Sequence, residues 1–131
     1  MPNNLSVSLN QSTTPWSVVV DHHGNGNEVD RSPNPQTINW QLNGNAASGS
    51  FVSLTDPNPG FAWLSSPPAN VFGAPTLSGN GNQLSIQDTN TGASTAGSWT
   101  YVLRVNVGGT VYTSAALSIA ATETSPWIKN K

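Results

Sequence analysis

Leu84-Ser85-Ile86-Gln87-Asp88, then Trp99-Thr100-Tyr101-Val102-Leu103-Arg104-Val105-Asn106-Val107, belong to the stretch from Asn82 to Ile119 that decides the fold. Leu84 and Ile86 alternate with polar neighbours, the period of a strand with one buried face. Turn-forming residues follow from Asp88 to Gly92. Trp99, Tyr101, Leu103, Val105 and Val107 then share one face, against Thr100, Val102, Arg104 and Asn106 on the other. Gly108-Gly109 signals a hairpin. The next run sets Val111, Thr113, Ala115, Leu117 and Ile119 on a single face.

The hairpin register can be tested against this pattern. A two-residue loop pairs Val105 with Tyr112 and sends Leu117 and Ile119 to the polar face of the preceding strand. A three-residue loop, Gly108 to Thr110, pairs Val107 with Val111 and Tyr101 with Leu117, so both apolar sets coincide. A slip of one residue moves every side chain to the other face, which favours the three-residue loop. A two-residue loop corrected by a later bulge is the alternative, because Thr110 suits a left-handed position poorly.

Leu84-x-Ile86-x-Asp88, Ala96-Gly97-x-Trp99-x-Tyr101-x-Leu103-x-Val105, Gly108-Gly109 and Leu117-x-Ile119 resemble strands E, F and G of immunoglobulin-like domains, in particular the cysteine-free bacterial kind. The resemblance covers less than a third of the chain. Trp99 stands where the corner tyrosine usually is and Tyr101 where the second cysteine would be. What the resemblance implies is a fold: an all-β, immunoglobulin-like antiparallel β-sandwich. It implies no function, because that scaffold serves many.

The rest of the chain agrees with extended structure. Leu5, Val7 and Leu9 alternate with serines, and Trp16 to Val20 makes a second short strand after Pro15. Ile38, Trp40 and Leu42 share a face. Phe51–Leu54 and Phe61–Leu64 are weaker strands, and Val71-Phe72 and Thr76-Leu77 are short. Residues 21–36 show no periodicity and are expected to form a long surface loop. Residues 120–131 read as a polar tail relieved only by Trp127 and Ile128. The expectation is one domain over residues 1–131, with seven to nine strands in two sheets and no helical period.

Composition narrows the function classes. Only 8% of the residues are charged, against about 25% in an average soluble domain. Five tryptophans and clear alternation distinguish the chain from a disordered one. The net charge of −2 and four basic residues cannot build a phosphate-tracking patch, so nucleic acid is not an expected partner. No apolar run approaches the roughly 20 residues of a membrane span, and the first ten residues lack a signal-peptide pattern. Membrane insertion is therefore not expected, and the chain reads as cytoplasmic or exported by a leaderless route. The absence of cysteine removes disulfides and thiolate chemistry.

Three groups of residues are candidates for a site. Asp21, His22, His23, Glu28 and Asp30 concentrate ligand-type groups in one loop. The carboxylates and nearby amides suit calcium and the histidines suit zinc. Adjacent histidines diverge in a strand, however, and the spacing is not that of an EF-hand, so a solvated loop is the simpler reading. Catalysis has less support: no Gly-x-Ser-x-Gly elbow is present, and Asp56 and Asp88 stand in turn contexts that suit backbone capping. The chain is expected not to be an enzyme and to need no cofactor.

Aromatics are the better lead. Trp40, Trp63 and Trp99 fall on apolar faces and belong to the core. Trp16 and Trp127, each beside a proline, flank the two ends and are candidates for binding. Tyr112, with Val102, falls on the nominally outer face of the last hairpin, where an apolar patch could join two chains. The expected function is a binding or assembly module acting through protein–protein interaction, self-association included. The alternative is carbohydrate binding through exposed tryptophan and asparagine.

Overall fold

Residue Tyr101 sits at the middle of the longest strand, and four other strands hydrogen-bond to that one. The computed structural model describes residues 4–11, 16–21, 26–114 and 126–131. Among them are eleven strands: β1 (Asn4–Asn10), β2 (Ser17–Asp21), β3 (Gly26–Val29), β4 (Gln36–Leu42), β5 (Ser50–Phe51), β6 (Phe61–Trp63), β7 (Thr76–Leu77), β8 (Gln83–Asp88), β9 (Gly97–Val107), β10 (Thr110–Thr113) and β11 (Trp127–Asn130). The count exceeds the expected seven to nine because β3 and β11 form in stretches that the sequence presents as irregular.

The chain is all-β, in two sheets. One sheet has the order β2-β1-β4-β8-β7, and the other β10-β9-β11-β3, with β5 and β6 also paired to β9. Along one edge of β9, β10 pairs at Arg104–Val107 and β11 at Gly97–Thr100. β5 pairs at Val105–Asn106 and β6 at Tyr101–Leu103. The purely antiparallel expectation is corrected: β1 runs parallel to β4, and β11 parallel to β3. A parallel pair needs a crossover rather than a hairpin. Here the crossovers are the chain from β1 through β2 and β3 to β4, and the long path from β3 to β11.

Period-two alternation puts the core between the sheets. Leu5, Val7, Leu9, Val18, Val20, Ile38, Trp40, Leu42, Leu84 and Ile86 come from the first sheet. Phe51, Phe61, Tyr101, Leu103, Val105, Ile128 and Val29 come from the second. At about 25 cal/mol per Å2 of apolar surface removed from water, this burial is the main stabilising term in a chain with no cross-links. Beyond the end of β4, the Asn45 amide replaces a strand partner for β1. Its Oδ1 accepts from Leu9 N at 2.8 Å, and its Nδ2 donates to Leu9 O at 2.9 Å.

The hairpin after β9 corrects the favoured register. Thr110 pairs with Val107 and Tyr112 with Val105, so the loop is the two residues Gly108-Gly109. Both glycines take positive φ, 62° and 87°, as a two-residue turn matching the twist of the strands requires. The ladder changes at Ser114. Its N–H donates to Leu103 O at 2.9 Å, while Leu103 N–H donates to the Ser114 hydroxyl at 2.7 Å instead of to a carbonyl. The pattern of Leu117 and Ile119, which favoured the longer loop, lies outside the described residues.

Two stretches read as irregular contain strands. Part of the expected 21–36 loop is β3, and part of the expected polar tail is β11; the two pair with each other in parallel. Neither is long enough to show a period. Each strand's buried face carries an asparagine, Asn27 or Asn130, where a sequence pattern looks for an apolar residue.

Candidate functional site

Three places hold the residues of interest: an aromatic pair at the β2–β10 side, a charged cluster at β3, and a buried polar group at the end closed by the β8–β9 connection.

Trp16 immediately precedes β2, and Tyr112 lies in β10. Their rings stack with centroids 5.8 Å apart and planes inclined by 19°. Trp16 is 41% exposed. Tyr112 is half-buried and packs against the core, on the same side as its partner Val105. The expected outer placement of Tyr112 is therefore corrected, because the two-residue loop reverses its face. Val102, expected beside it on that outer face, is buried as well. The residue that β10 does present outward is Val111, 53% exposed and paired with Asn106. From Asn106 to Ser114 no residue carries a charge.

Trp127 does not extend this surface. It is half-buried in β11 and pairs with Thr100, whereas Tyr112 pairs with Val105. Five residues of strand, roughly 17 Å, separate those positions along β9, and they fall on opposite faces of the sheet. The structure brings Trp16 and Tyr112 together and leaves Trp127 apart.

Of the five residues considered for metal, His22 and His23 lie outside the described residues, and Asp21 is described only as the last residue of β2. Glu28 and Asp30 are exposed. The Lys131 ammonium stands 3.2 Å from Asp30 Oδ1 and 3.6 Å from Glu28 Oε1. It already supplies the positive charge that a bound cation would bring to these carboxylates. Asp30, by hydrogen bond and charge, and then Glu28 raise the affinity of that ammonium for its proton. Among the described residues no group of three or more His, Asp or Glu side chains is placed to hold a metal.

The third place was missed in the sequence. Asp88, Asn90, Thr95, Asn27 and Asn130 are all buried. Asn90 Nδ2 donates to Val29 O at 2.9 Å, and the Thr95 hydroxyl donates to Asn90 Oδ1 at 3.0 Å. Asn130 Nδ2 donates to Asp88 Oδ1 at 2.8 Å and to Thr95 O at 3.0 Å. The Asn130–Asp88 bond joins the two sheets. Asp88 does not cap a turn, as its setting suggested; it is the last inward residue of β8. Burial raises its carboxyl from the ordinary 3.8 to about 6, opposed by the hydrogen bond from Asn130. The alternation Leu84-x-Ile86-x-Asp88 already assigns it to the inner face, and that was the available signal.

No protein-family model matches this chain, and no curated protein matches it either.

Proposed function

We propose that this domain is a non-catalytic binding or assembly module of the immunoglobulin-like kind, acting through contact with protein, its own copies included. The kinship draws on the division of the E-, F- and G-like segments, with β8 in one sheet and β9 and β10 in the other. The functional reading rests on one observation: Trp16 is held by its stack on Tyr112 while two-fifths of its surface stays in water. A rigid, amphipathic aromatic gives contact area at low entropic cost. Val111 leaves separate apolar surface exposed on the other face of the same short strand, and no residue of Asn106–Ser114 carries a charge that would oppose a like surface.

Sedimentation velocity over a wide concentration range tests self-association. The expected result is a concentration-dependent dimer that Trp16→Ala abolishes while the melting temperature barely moves. A wild type that stays monomeric throughout removes the self-association form of the proposal.

Carbohydrate binding on the same indole is the alternative, favoured by the exposure of Trp16 alone because Trp127 does not extend the platform. Titration with glycans, followed by tryptophan emission and compared with Trp16→Ala, separates the two readings.

A further inference from the structure

Asp88 Oδ2 and Asn130 Oδ1 are both buried and have no hydrogen-bond partner among the described residues. They belong to the same two side chains that Asn130 Nδ2 already joins through Asp88 Oδ1 at 2.8 Å. With Asp88 ionised, both leftover atoms are acceptors and neither can serve the other. One proton changes that. A carboxylic acid and a primary amide are complementary: the amide N–H donates to the acid carbonyl, and the acid O–H donates to the amide oxygen.

We propose that Asp88 takes up a proton from solvent at Oδ2 and closes a doubly hydrogen-bonded acid–amide pair with Asn130, an acid-strengthened latch that holds β11 against the opposite sheet. The latch joins two strands of different sheets that do not pair with each other: β8 belongs to the first sheet, and β11 fills the place between β9 and β3.

Among the described residues, Asp88 meets no competing charge. Gln36 faces it across β4, and Phe72 bridges to it on the other side. From the β8–β9 connection come Asn90 and Thr95, which are neutral. On β3 and β11 the charged residues Glu28 and Lys129 alternate with the buried Asn27, Val29, Ile128 and Asn130, and so face outward. Asp30, Arg31 and Lys131 are exposed, and Lys131 is engaged with Glu28 and Asp30. On β9, the nearest titratable group of the inner face is Tyr101, which burial keeps protonated. A lone buried carboxyl without a cation is stabilised by neutralisation.

The direction of the pH effect follows. The carboxyl holds its proton more tightly in the folded chain than in the unfolded one, so folding takes up a proton between pH 3.8 and about 6. The stabilisation is complete below the lower value and is lost as pH rises through the upper one. The gap corresponds to roughly a hundredfold change in the folded-to-unfolded ratio.

Chemical denaturation of wild type and Asp88→Asn at pH 4.5 and 7.5 tests the latch, because asparagine offers the same N–H and C=O pairing without titrating. The expected result is a variant more stable than wild type at pH 7.5, with that advantage shrinking by tenfold or more in the folded-to-unfolded ratio at pH 4.5. A constant difference at the two pH values overturns the proposal. Titration of the Asp88 carboxyl carbon by NMR decides the matter on wild type alone, should the variant not fold. A midpoint above 4.5 supports the latch, and one at or below 4.5 overturns it.

Discussion

The middle of the sandwich and its β8–β9 end are built from opposite materials. From the middle toward that end, six rings touch in series. Trp40 meets Tyr101 at 5.4 Å, Tyr101 meets Phe61 at 5.2 Å, and Phe61 meets Trp63 at 5.0 Å. Trp63 then meets Phe72 at 4.7 Å, and Phe72 meets Trp99 at 5.5 Å. The one polar pair there is complete: Trp40 Nε1–H donates to the Tyr101 hydroxyl at 2.9 Å. At the end, by contrast, Asn27, Asp88 and Asn130 all keep buried polar atoms without partners. A buried polar group costs free energy unless it is bonded. The middle therefore carries stability, and the end carries the sensitivity to solvent conditions.

Mutations at the two places sharpen that contrast. Trp40→Ala removes the fully buried indole that begins the series and touches both Tyr101 and Phe61, and it strips the Tyr101 hydroxyl of its partner. A loss of about 3–5 kcal/mol in chemical denaturation is expected. Asn90→Ala takes the buried amide away from Val29 O, which keeps the Lys131 N–H, and from the Thr95 hydroxyl, which keeps Gly92 O, so about 2 kcal/mol should go in the same measurement. Tyr101→Phe keeps the ring packing and orphans only the Trp40 N–H, so about 1–2 kcal/mol is expected. If Tyr101→Phe proved as damaging as Trp40→Ala, the hydrogen bond rather than the aromatic packing would be holding the middle. Trp16→Ala, on the surface, should cost about 1 kcal/mol or less in thermal melts while altering association.

The same contrast explains what was legible in the sequence. Leu84, Ile86, Tyr101, Leu103 and Val105 announce their face through alternation, and all five are buried. Strands β3 and β11 stayed hidden because each offers four residues, with asparagine on its inward face. The hairpin was misread for a different reason. The apolar alternation from Val111 to Ile119 was treated as one uninterrupted strand, whereas the ladder against β9 changes at Ser114. That error also placed Tyr112 on the wrong face and hid its stack with Trp16. Of the candidate site, the sequence offers Trp16 and Trp127 alike as proline-flanked end residues, and nothing in it distinguishes the exposed Trp16 from the half-buried Trp127. The pairing of Trp16 with Tyr112 was not legible either, because it depends on how the edges of two sheets meet.

Gly97 and Trp99 show a finer point of the same kind. A Cβ at Gly97 would lie 2.8 Å from the Trp99 ring. Gly97 is the floor on which a core indole lies, and no periodicity reveals it.

Native-state hydrogen exchange tests the division between middle and end most directly, with intrinsic rates corrected for pH. At pH 7.5 the amides of Leu103 and Val105 in β9 should exchange only through global unfolding. The Lys131 amide, bonded to Val29 O at 3.1 Å, and those of β11 should exchange faster through local opening, with the difference narrowing at pH 5. Equal protection of β9 and β11 at pH 7.5, or a difference that widens on acidification, would contradict it.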